Sequence, residues 1–266
     1  MWAKPAGSSP DCPNRSYDER AFLNAEGPLH LLADWVEAVF LNYQIRPESL
    51  QRYVPYELDL CEGSAWVSLV AFTMRDMRPA KTGLIGRSVF LPFREQRFLN
   101  VRTYVRHNGI QGIHFIAEWI SDWVNAQLGP LVYGLPYRYG HLTYTREQTR
   151  LGGRIIGTGG ELIFNGDAAV AKCRPVEAVE AAEFLLERYF AFNSIAGKRR
   201  FFRVWHEPWL QTEASVRIEA DTLMRATFPW WKEARFFDAR FSPGVSDVRM
   251  GLPRRVLSGP ATHGEQ

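Results

Sequence analysis

Two alternating segments joined by a tight-turn signal constrain the fold of this chain more than any other feature. Phe98 to Arg106 and Gly112 to Ile120 each alternate between apolar and polar residues, which is typical of β-strands with two unlike faces. Asn108-Gly109 lies in the connection between them, and this dipeptide favours a hairpin turn because both of its residues tolerate positive φ. The pattern predicts an antiparallel β-hairpin.

Other parts of the chain carry strand signals as well. Ala65 to Met74 is almost wholly apolar, as in a strand that is buried on both faces. Gly157 to Gly160 separates two short β-rich segments, which predicts a second hairpin. Further strands are predicted within residues 134–146, 168–173, 201–205, 214–219 and 236–242. About ten strands with few helices predict a mostly β (α+β) fold of the barrel-like kind.

Three segments show helical signals. Pro47 is predicted to open a short helical turn, because proline suits the first position of a helix. The clearest helix is predicted over residues 176–191, with an apolar stripe that packs on the sheet: Val179, Ala182, Leu186 and Phe190. Leu29 to Tyr43 has apolar residues at helix-like intervals and is predicted to be a helix that runs into a strand.

The organisation of the chain indicates one domain. No linker, internal repeat or low-complexity tract interrupts its central part, so a single domain is predicted over residues 28–251. Residues 1–27 are rich in Pro, Ser, Gly and charge and are predicted to form a flexible leader. Residues 252–266 have a similar composition and are predicted to form a flexible tail.

Composition argues against several classes of partner. The formal net charge of +3 is too small to predict nucleic-acid binding. No apolar run approaches the roughly 20 residues of a membrane helix, so no membrane association is predicted. The odd number of cysteines, 3, and their wide spacing favour free thiols in a reducing compartment, which predicts a cytoplasmic location. The oligomeric state is left open, and a homo-oligomer is compatible with the sequence.

Familiar catalytic and cofactor motifs are not found. The glycines between positions 152 and 160 lack the G-K-[ST] ending of a phosphate loop, so hairpin turns explain them better. The 6 histidines form no H-E-x-x-H motif and no close pair on one helix face. A G-x-S-x-G nucleophile elbow is also absent. Neither a metal site nor a cofactor is predicted.

The central hairpin carries the candidate site. Period-two geometry places Asn100, Arg102 and Tyr104 on one face of the first strand. On the second strand the same rule groups His114, Ile116 and Glu118. If the strands are neighbours, Arg102 and Glu118 are predicted to be cross-strand partners. Two alternatives stay open: a solvated face with an ordinary surface ion pair, or a polar interior that receives a small anionic or carbonyl ligand.

A wider set of segments resembles the YqjF-like family of uncharacterised proteins, within the acetoacetate-decarboxylase-like superfamily. The longer matching segments are Leu58 to Phe72, Phe98 to Val105, Gly112 to Trp119 and Gly134 to Tyr139. Shorter ones are Leu41-Asn42-Tyr43, Glu187-Arg188-Tyr189, His206-Glu207-Pro208-Trp209 and Phe241 to Val245. The resemblance implies an acetoacetate-decarboxylase-like fold, a closed β-barrel or cone with an internal cavity and a few covering helices.

The resemblance also bears on chemistry. In the true decarboxylases a lysine in a G-x-P-K-K segment forms a Schiff base with the keto acid, and a second lysine beside it lowers its pKa. The segment that matches here is Gly134 to Arg138, in which Tyr137 and Arg138 occupy the two lysine positions. Neither side chain can form an imine, so the Schiff-base lysine is predicted to be absent.

Three functions remain open on this basis. The first is the binding, with or without a reaction, of a small organic carboxylate or carbonyl compound in the cavity. Its ligand-binding candidates are Asn100, Arg102, Tyr104, His114 and Arg138, and its catalytic candidates are Glu118 and Tyr137. The arginines would bind a carboxylate, Glu118 would move a proton, and a tyrosine would donate to an oxyanion.

The other two functions differ in class. A non-catalytic interaction or structural protein would present an aromatic surface, for which Phe228 to Trp231 is the candidate segment. A decarboxylase or aldolase-like enzyme would need a lysine from elsewhere in the chain, and Lys172 is the candidate.

Overall fold

The computed structural model describes residues 29–80, 95–176, 181–195 and 197–255. A 15-stranded sheet dominates these residues. Its strands are β1 (Leu29–Ile45), β2 (Glu57–Leu58), β3 (Ala65–Pro79), β4 (Glu95–His107), β5 (Ile110–Ile120), β6 (Tyr137–Tyr139), β7 (His141–Glu147), β8 (Arg150–Gly157), β9 (Gly160–Asp167), β10 (Arg174–Pro175), β11 (Phe190–Ile195), β12 (Lys198–Trp205), β13 (Leu210–Asp221), β14 (Arg235–Gly251) and β15 (Arg254–Arg255). The helices are α1 (Pro47–Gln51), α2 (Trp123–Val132), α3 (Ala181–Leu186) and α4 (Thr222–Thr227), with 3-10 turns at Val170–Lys172 and Pro229–Glu233.

The central strands close into a ring. They follow the order β12-β11-β5-β4-β3-β1-β14, and β12 also pairs with β14 through Val204↔Met250 and Trp205↔Arg249. From β14 the sheet continues through β13, β9, β8 and β7, which lie beyond the closed part. Closure leaves the ring strands with two faces, one directed inward and one outward.

Both faces of the ring are packed, which explains the nearly continuous apolar sequence of β3. Leu69 and Ala71 belong to a core cluster that includes Leu162 and Phe164 of β9. The alternate residue Val70 belongs to a second cluster, which holds the inward-facing residues of the other ring strands. The prediction that Ala65 to Met74 is buried on both faces is confirmed.

The two predicted hairpins are present. Asn108 (φ 49°) and Gly109 (φ 76°) both have positive φ and join β4 to β5. The second hairpin joins β8 to β9, with Gly157 paired to Gly160. The short helix predicted at Pro47 is also found as α1. These features depend on a few adjacent residues, and the sequence is sufficient to specify them.

The segment predicted as a helix running into a strand is instead the continuous strand β1. Its pairing with β3 and β14 shifts register at several points, including between Ala33 and Trp35 and between Val36 and Val39. Glu37 has a φ of 54° within one of these irregularities. Because each bulge moves the alternation of faces by one residue, the apolar spacing imitates the period of a helix.

The helix predicted over 176–191 is only partly correct. Residues 181–186 form α3, and Ala182 and Leu186 are buried there, but Val179 lies outside the described residues. Phe190 belongs to β11, where it pairs with Arg203 of β12. The side chains from Phe190 onward suit a strand, and the helix therefore ends before this residue. The strand predicted within 168–173 is also wrong, because Val170–Lys172 is a 3-10 turn.

The ends of the chain are only partly described. The predicted leader, 1–27, and residues 256–266 of the predicted tail lie outside the described residues. Arg254–Arg255, which was predicted to belong to the tail, forms β15 against β12. Within the described ranges, no helix has both the length and the apolar character that a membrane crossing requires.

The cysteines differ from the expectation of free thiols. Cys61 is disulfide-bonded and buried, whereas Cys173 is a free thiol. The cysteines therefore give no support to the prediction of a cytoplasmic location.

Candidate functional site

The ring encloses a cavity of about 470 Å³, which lies in the range of typical small-molecule sites. Every strand of the ring contributes side chains to it. The aromatic lining residues are Trp35, Phe40, Phe72, Phe98, Phe115, Tyr133, Tyr137, Phe190, Phe202 and Trp209. The polar and charged ones are Gln96, Asn100, Arg102, Glu118, Asn125, Arg188 and His206. A mostly apolar cavity with a few polar groups can orient a small organic ligand.

Four of the predicted site residues line this cavity: Asn100, Arg102, Glu118 and Tyr137. Of the two alternatives for the hairpin face, the enclosed one is therefore correct. Arg102 is 6% exposed and Glu118 is 3% exposed, values that exclude a solvated face.

A bulge in β5 changes which residues face inward. Val101 pairs with Ala117 but Arg102 pairs with Phe115, so Ile116 is an extra residue on β5. The bulge places Phe115 on the same side as Glu118, and both line the cavity. Strict alternation predicts His114 and Ile116 on that side, and this prediction is wrong.

His114 lies on the opposite face of the ring wall. Its Nδ1 is 2.8 Å from the carbonyl oxygen of Phe192, and its ring contacts that of Tyr56. Burial lowers the pKa of His114, and the contact with the Phe192 carbonyl raises it in part. The residue therefore has a packing role and no contact with the cavity.

Glu118 is the acidic group of the cavity. Its backbone N–H donates to the carbonyl oxygen of Pro136 at 3.1 Å, and its side-chain Oε1 is buried without a hydrogen-bond partner. Burial raises the pKa of this carboxyl well above its usual value. Burial without a counter-charge favours the neutral form of a carboxyl, and a neutral carboxyl can donate a hydrogen bond.

Tyr137 lies beside Glu118, because β5 and β6 pair in parallel at these two residues. The pKa of Tyr137 is raised by burial, by Glu118 and by Tyr133, in that order, so its phenol keeps its proton. Tyr133 has a buried hydroxyl without a partner. Glu118, Tyr133 and Tyr137 thus form a group of neutral hydrogen-bond donors on one part of the wall.

Arg102 is the positively charged residue among the predicted residues that line the cavity. Its Nη2 donates to the carbonyl oxygen of Leu185 at 2.8 Å, and its Nε is buried without a partner. Within the described part of the chain, no carboxylate lies within ion-pair distance of Arg102. The predicted cross-strand partnership with Glu118 is not formed, since Asn100 is the residue opposite Glu118.

Tyr104 lies beside Arg102 in the wall of the ring and does not line the cavity. It is fully buried, and its hydroxyl lies 2.6 Å from Ser68 Oγ and 2.9 Å from the Leu185 carbonyl oxygen. The Arg102 guanidinium carbon is 5.9 Å from its ring centroid. Tyr104 and Arg102 both donate to the Leu185 carbonyl oxygen, and the cavity lining does not include Tyr104.

Arg138 is not at the cavity wall, contrary to the sequence prediction. It is exposed, and its guanidinium carbon lies 5.5 Å from the ring centroid of Trp119, whose side chain belongs to the other core cluster. Successive strand residues point to opposite faces, so an inward Tyr137 directs Arg138 outward.

Two basic residues of the cavity were not predicted, namely Arg188 and His206. Arg188 Nη1 donates to Asp59 Oδ2 at 2.9 Å, and its Nη2 is buried without a partner. His206 Nδ1 is 2.8 Å from the Glu207 carbonyl oxygen, and its ring stacks on Tyr189 at 4.9 Å. Both residues lie in short segments that carry the YqjF-like resemblance, which was the available signal.

These two residues lie near Arg102, and Arg188 adds a second positive charge to that part of the cavity. Burial lowers the pKa of Arg188, Asp59 raises it, and Arg102 lowers it again. Burial is also the main cause that lowers the pKa of His206, and Arg102 contributes in the same direction. Guanidinium groups carry their positive charge over the whole working pH range.

The lysines of the described residues are remote from the cavity. Lys172, Lys198 and Lys232 are exposed, and none of them lines it. Lys4 and Lys81 lie outside the described residues. Lys172, the residue proposed as a substitute amine, is therefore not placed to reach a ligand.

Two further expectations can be compared with the structure. In the described ranges, no group of three metal-ligating side chains comes together. The segment Phe228 to Trp231, predicted as a partner surface, has its three aromatic side chains buried: Phe228, Trp230 and Trp231. The aromatic surface that motivated an interaction protein is therefore core.

Comparison with solved structures identifies the class of fold. An acetoacetate decarboxylase-like enzyme from Sphingomonas wittichii RW1 aligns with a TM-score of 0.61 at 14% identity, over 87% of this chain and 94% of that chain. The enduracididine biosynthesis enzyme MppR, complexed with the condensation product of pyruvate and imidazole 4-carboxaldehyde, aligns with a TM-score of 0.59 at 12% identity, over 86% and 90%. The predicted acetoacetate-decarboxylase-like β fold is confirmed.

The family follows from the sequence itself. The family model DUF2071, described as an uncharacterized conserved protein, matches residues 32–244. The uncharacterized protein YqjF of Bacillus subtilis (strain 168) is 28% identical over 202 residues, which cover 72% of this chain and 79% of YqjF. The chain belongs to the DUF2071 family, and the YqjF-like resemblance is confirmed.

Proposed function

We propose that this protein binds a small organic carboxylate or carbonyl compound inside the ring. The observation that carries the proposal is the buried charge of Arg102, which has no carboxylate at ion-pair distance in the described part of the chain. A buried charge without a counter-charge is unfavourable, and an anionic ligand would compensate it. Arg188 lies nearby with one free Nη2 and would share the carboxylate.

The remaining polar groups suit a carbonyl oxygen. Burial raises the pKa of Glu118 and so favours the neutral carboxyl, which would donate to that oxygen, and Tyr137 beside it offers a second donor. Asn100 lies opposite Glu118 and carries a buried Oδ1 without a partner, which would accept a hydroxyl or enol proton from the ligand. The structural neighbour MppR has been solved with pyruvate, a compound with both groups.

Imine chemistry is not part of the proposal. Tyr137 and Arg138 stand where the resembling decarboxylases have lysines, and phenol and guanidinium do not form imines. Binding through Arg102 and hydrogen bonding through Glu118 require no lysine. Any reaction would then proceed by proton transfer at the Glu118 and Tyr137 part of the wall.

Thermal unfolding with pyruvate and acetoacetate tests the proposal. Both acids are expected to raise the midpoint of the wild-type protein and not that of Arg102→Met. Arg138→Met is the matched control, because it removes an arginine that is exposed outside the cavity. Equal stabilisation of the Arg102→Met variant would contradict the proposal.

A trapping experiment tests the alternative of a Schiff base. The protein is incubated with acetoacetate and borohydride and weighed by mass spectrometry, and no adduct is expected. A stable adduct on any lysine, Lys81 included, together with carbon dioxide release would instead favour a decarboxylase.

A further inference from the structure

Strand register orders the cavity lining from one end to the other. On β4, lining residues follow at every second position: Arg102, Asn100, Phe98 and Gln96. On β3 their partners are Val70 for Asn100, Phe72 for Phe98 and Met74 for Gln96. Six residues of strand separate Arg102 from Gln96, which corresponds to about 20 Å between their backbones.

The middle of the cavity is aromatic. The rings of Phe72 and Phe98 stack with centroids 5.2 Å apart and an interplanar angle of 11°. Trp35 lies 5.4 Å from Phe72 and stacks on Trp209 at 6.1 Å. This wall favours a ligand with an apolar or aromatic body, and a four-carbon oxo acid bound at Arg102 would leave it without contacts.

The strand level of Gln96 includes two residues whose buried side-chain N–H groups have no partner. They are Trp35 Nε1 and Gln96 Nε2. Their residues share one level of the ring, because Met74 pairs with Trp35 on one side and with Gln96 on the other. A buried donor without an acceptor destabilises the protein. A ligand oxygen that accepts a hydrogen bond would therefore be favoured at this level of the ring.

We propose that the ligand is an elongated aryl oxo acid with a carboxylate at Arg102, an aromatic body along Phe72 and Phe98, and an oxygen at Gln96. This inference rests on the proposed function, because it uses the same cavity and the same carboxylate contact. It adds a preferred length and a second polar end. Pyruvate and acetoacetate are then too short to be the best ligands.

Isothermal titration calorimetry with a matched series tests each part of the inference. The probes are 4-oxopentanoate, 4-oxo-4-phenylbutanoate, its 4-methoxyphenyl derivative, and 1-phenylbutan-1-one, which lacks the carboxylate. Replacing methyl by phenyl is expected to tighten binding at least about tenfold through apolar burial. The methoxy oxygen is expected to add about fivefold, the usual gain from one hydrogen bond. Loss of the carboxylate is expected to weaken binding at least about tenfold.

A pair of variants isolates the far end. Gln96→Met removes the amide donor at nearly constant size, and the methoxy compound should then bind no better than the plain phenyl compound. Gln44→Met is the matched control, since Gln44 does not line the cavity, and it should preserve the methoxy gain.

The outcomes separate the inference from the proposed function. If 4-oxopentanoate binds as tightly as the aryl acids, the inference is overturned and the proposed function stands. If the methoxy gain is missing from the wild type or persists in Gln96→Met, the assignment of the far end is overturned. If none of the three acids binds, both proposals fail.

Discussion

Arg188 and Asp59 form an ion pair in which Nη1 and Oδ2 are 2.9 Å apart and the side chains are 1% and 2% exposed. Asp59 also accepts from Arg106 at 2.8 Å and from Gln111 at 2.9 Å. Asp59 thus neutralises the arginine that lies next to Arg102 and fixes it against the cavity. One of the two cavity arginines, Arg188, has an internal counter-charge, and the other, Arg102, has none within the described residues.

Asp59→Asn should destabilise the protein by about 3–5 kcal/mol, because breaking a buried pair leaves an uncompensated charge. The free energy of unfolding in urea measures this effect. Glu95→Gln is the control, since it breaks the Arg75 pair in which both side chains are about half exposed, at 51% and 49%. That change should cost less than about 1 kcal/mol. Equal costs for the two variants would contradict a structural role of Asp59.

The sequence predicted those parts of the fold that depend on adjacent residues. The β4–β5 hairpin is one, because Asn108 and Gly109 specify its turn locally. The face of β4 is another, because no bulge interrupts the alternation of Asn100 and Arg102. The closure of the ring by Val204↔Met250 joins residues far apart in the chain, and only the family resemblance implied it.

The site was predicted less completely, for two physical reasons. The bulge at Ile116 reversed the face of His114, and a bulge has no clear signal in a single sequence. Arg188 and His206 come from segments distant from the hairpin, so strand periodicity could not associate them with Arg102. The available signal for Arg188 was its place two residues after Leu186, the last residue of the apolar helix α3.

Glu118 should make stability depend on pH. In the unfolded chain its carboxyl titrates near 4.5, and in the folded chain its pKa lies well above that value because of burial. Between the two values the folded state holds a proton that the unfolded state has released, so stability falls as pH rises through this interval. Below the lower value both states are protonated and the contribution is complete.

The test compares the wild type with Glu118→Gln. The amide resembles the protonated carboxyl in shape and does not titrate, so the variant should lack this decline and gain stability relative to the wild type as pH rises. Urea unfolding at a series of pH values above 4.5 measures the difference between the two curves. A difference that stays constant with pH would indicate that Glu118 is ionised in the folded protein.

Arg102→Met should leave the ligand-free protein at least as stable as the wild type. The substitution removes a buried charge without a counter-charge and keeps most of the side-chain volume, a change that is often neutral or stabilising. The Leu185 carbonyl oxygen keeps a donor in the Tyr104 hydroxyl at 2.9 Å. Chemical denaturation without ligand measures the effect. A loss of several kcal/mol would show that Arg102 is a structural residue and would weaken its assignment to ligand binding.

Leu186→Ala tests the packing of α3 on the inner face of the ring. Leu186 is 1% exposed and belongs to the same core cluster as Phe40 and Val70, so its truncation should cost about 2–5 kcal/mol. Leu210→Ala is the matched control, because Leu210 is 44% exposed and should cost no more than about 0.5 kcal/mol. Since α3 ends two residues before Arg188, the Leu186 variant should also weaken the binding of 4-oxo-4-phenylbutanoate, whereas the Leu210 variant should not. Loss of stability with unchanged binding would mean that α3 stabilises the ring without positioning the arginine.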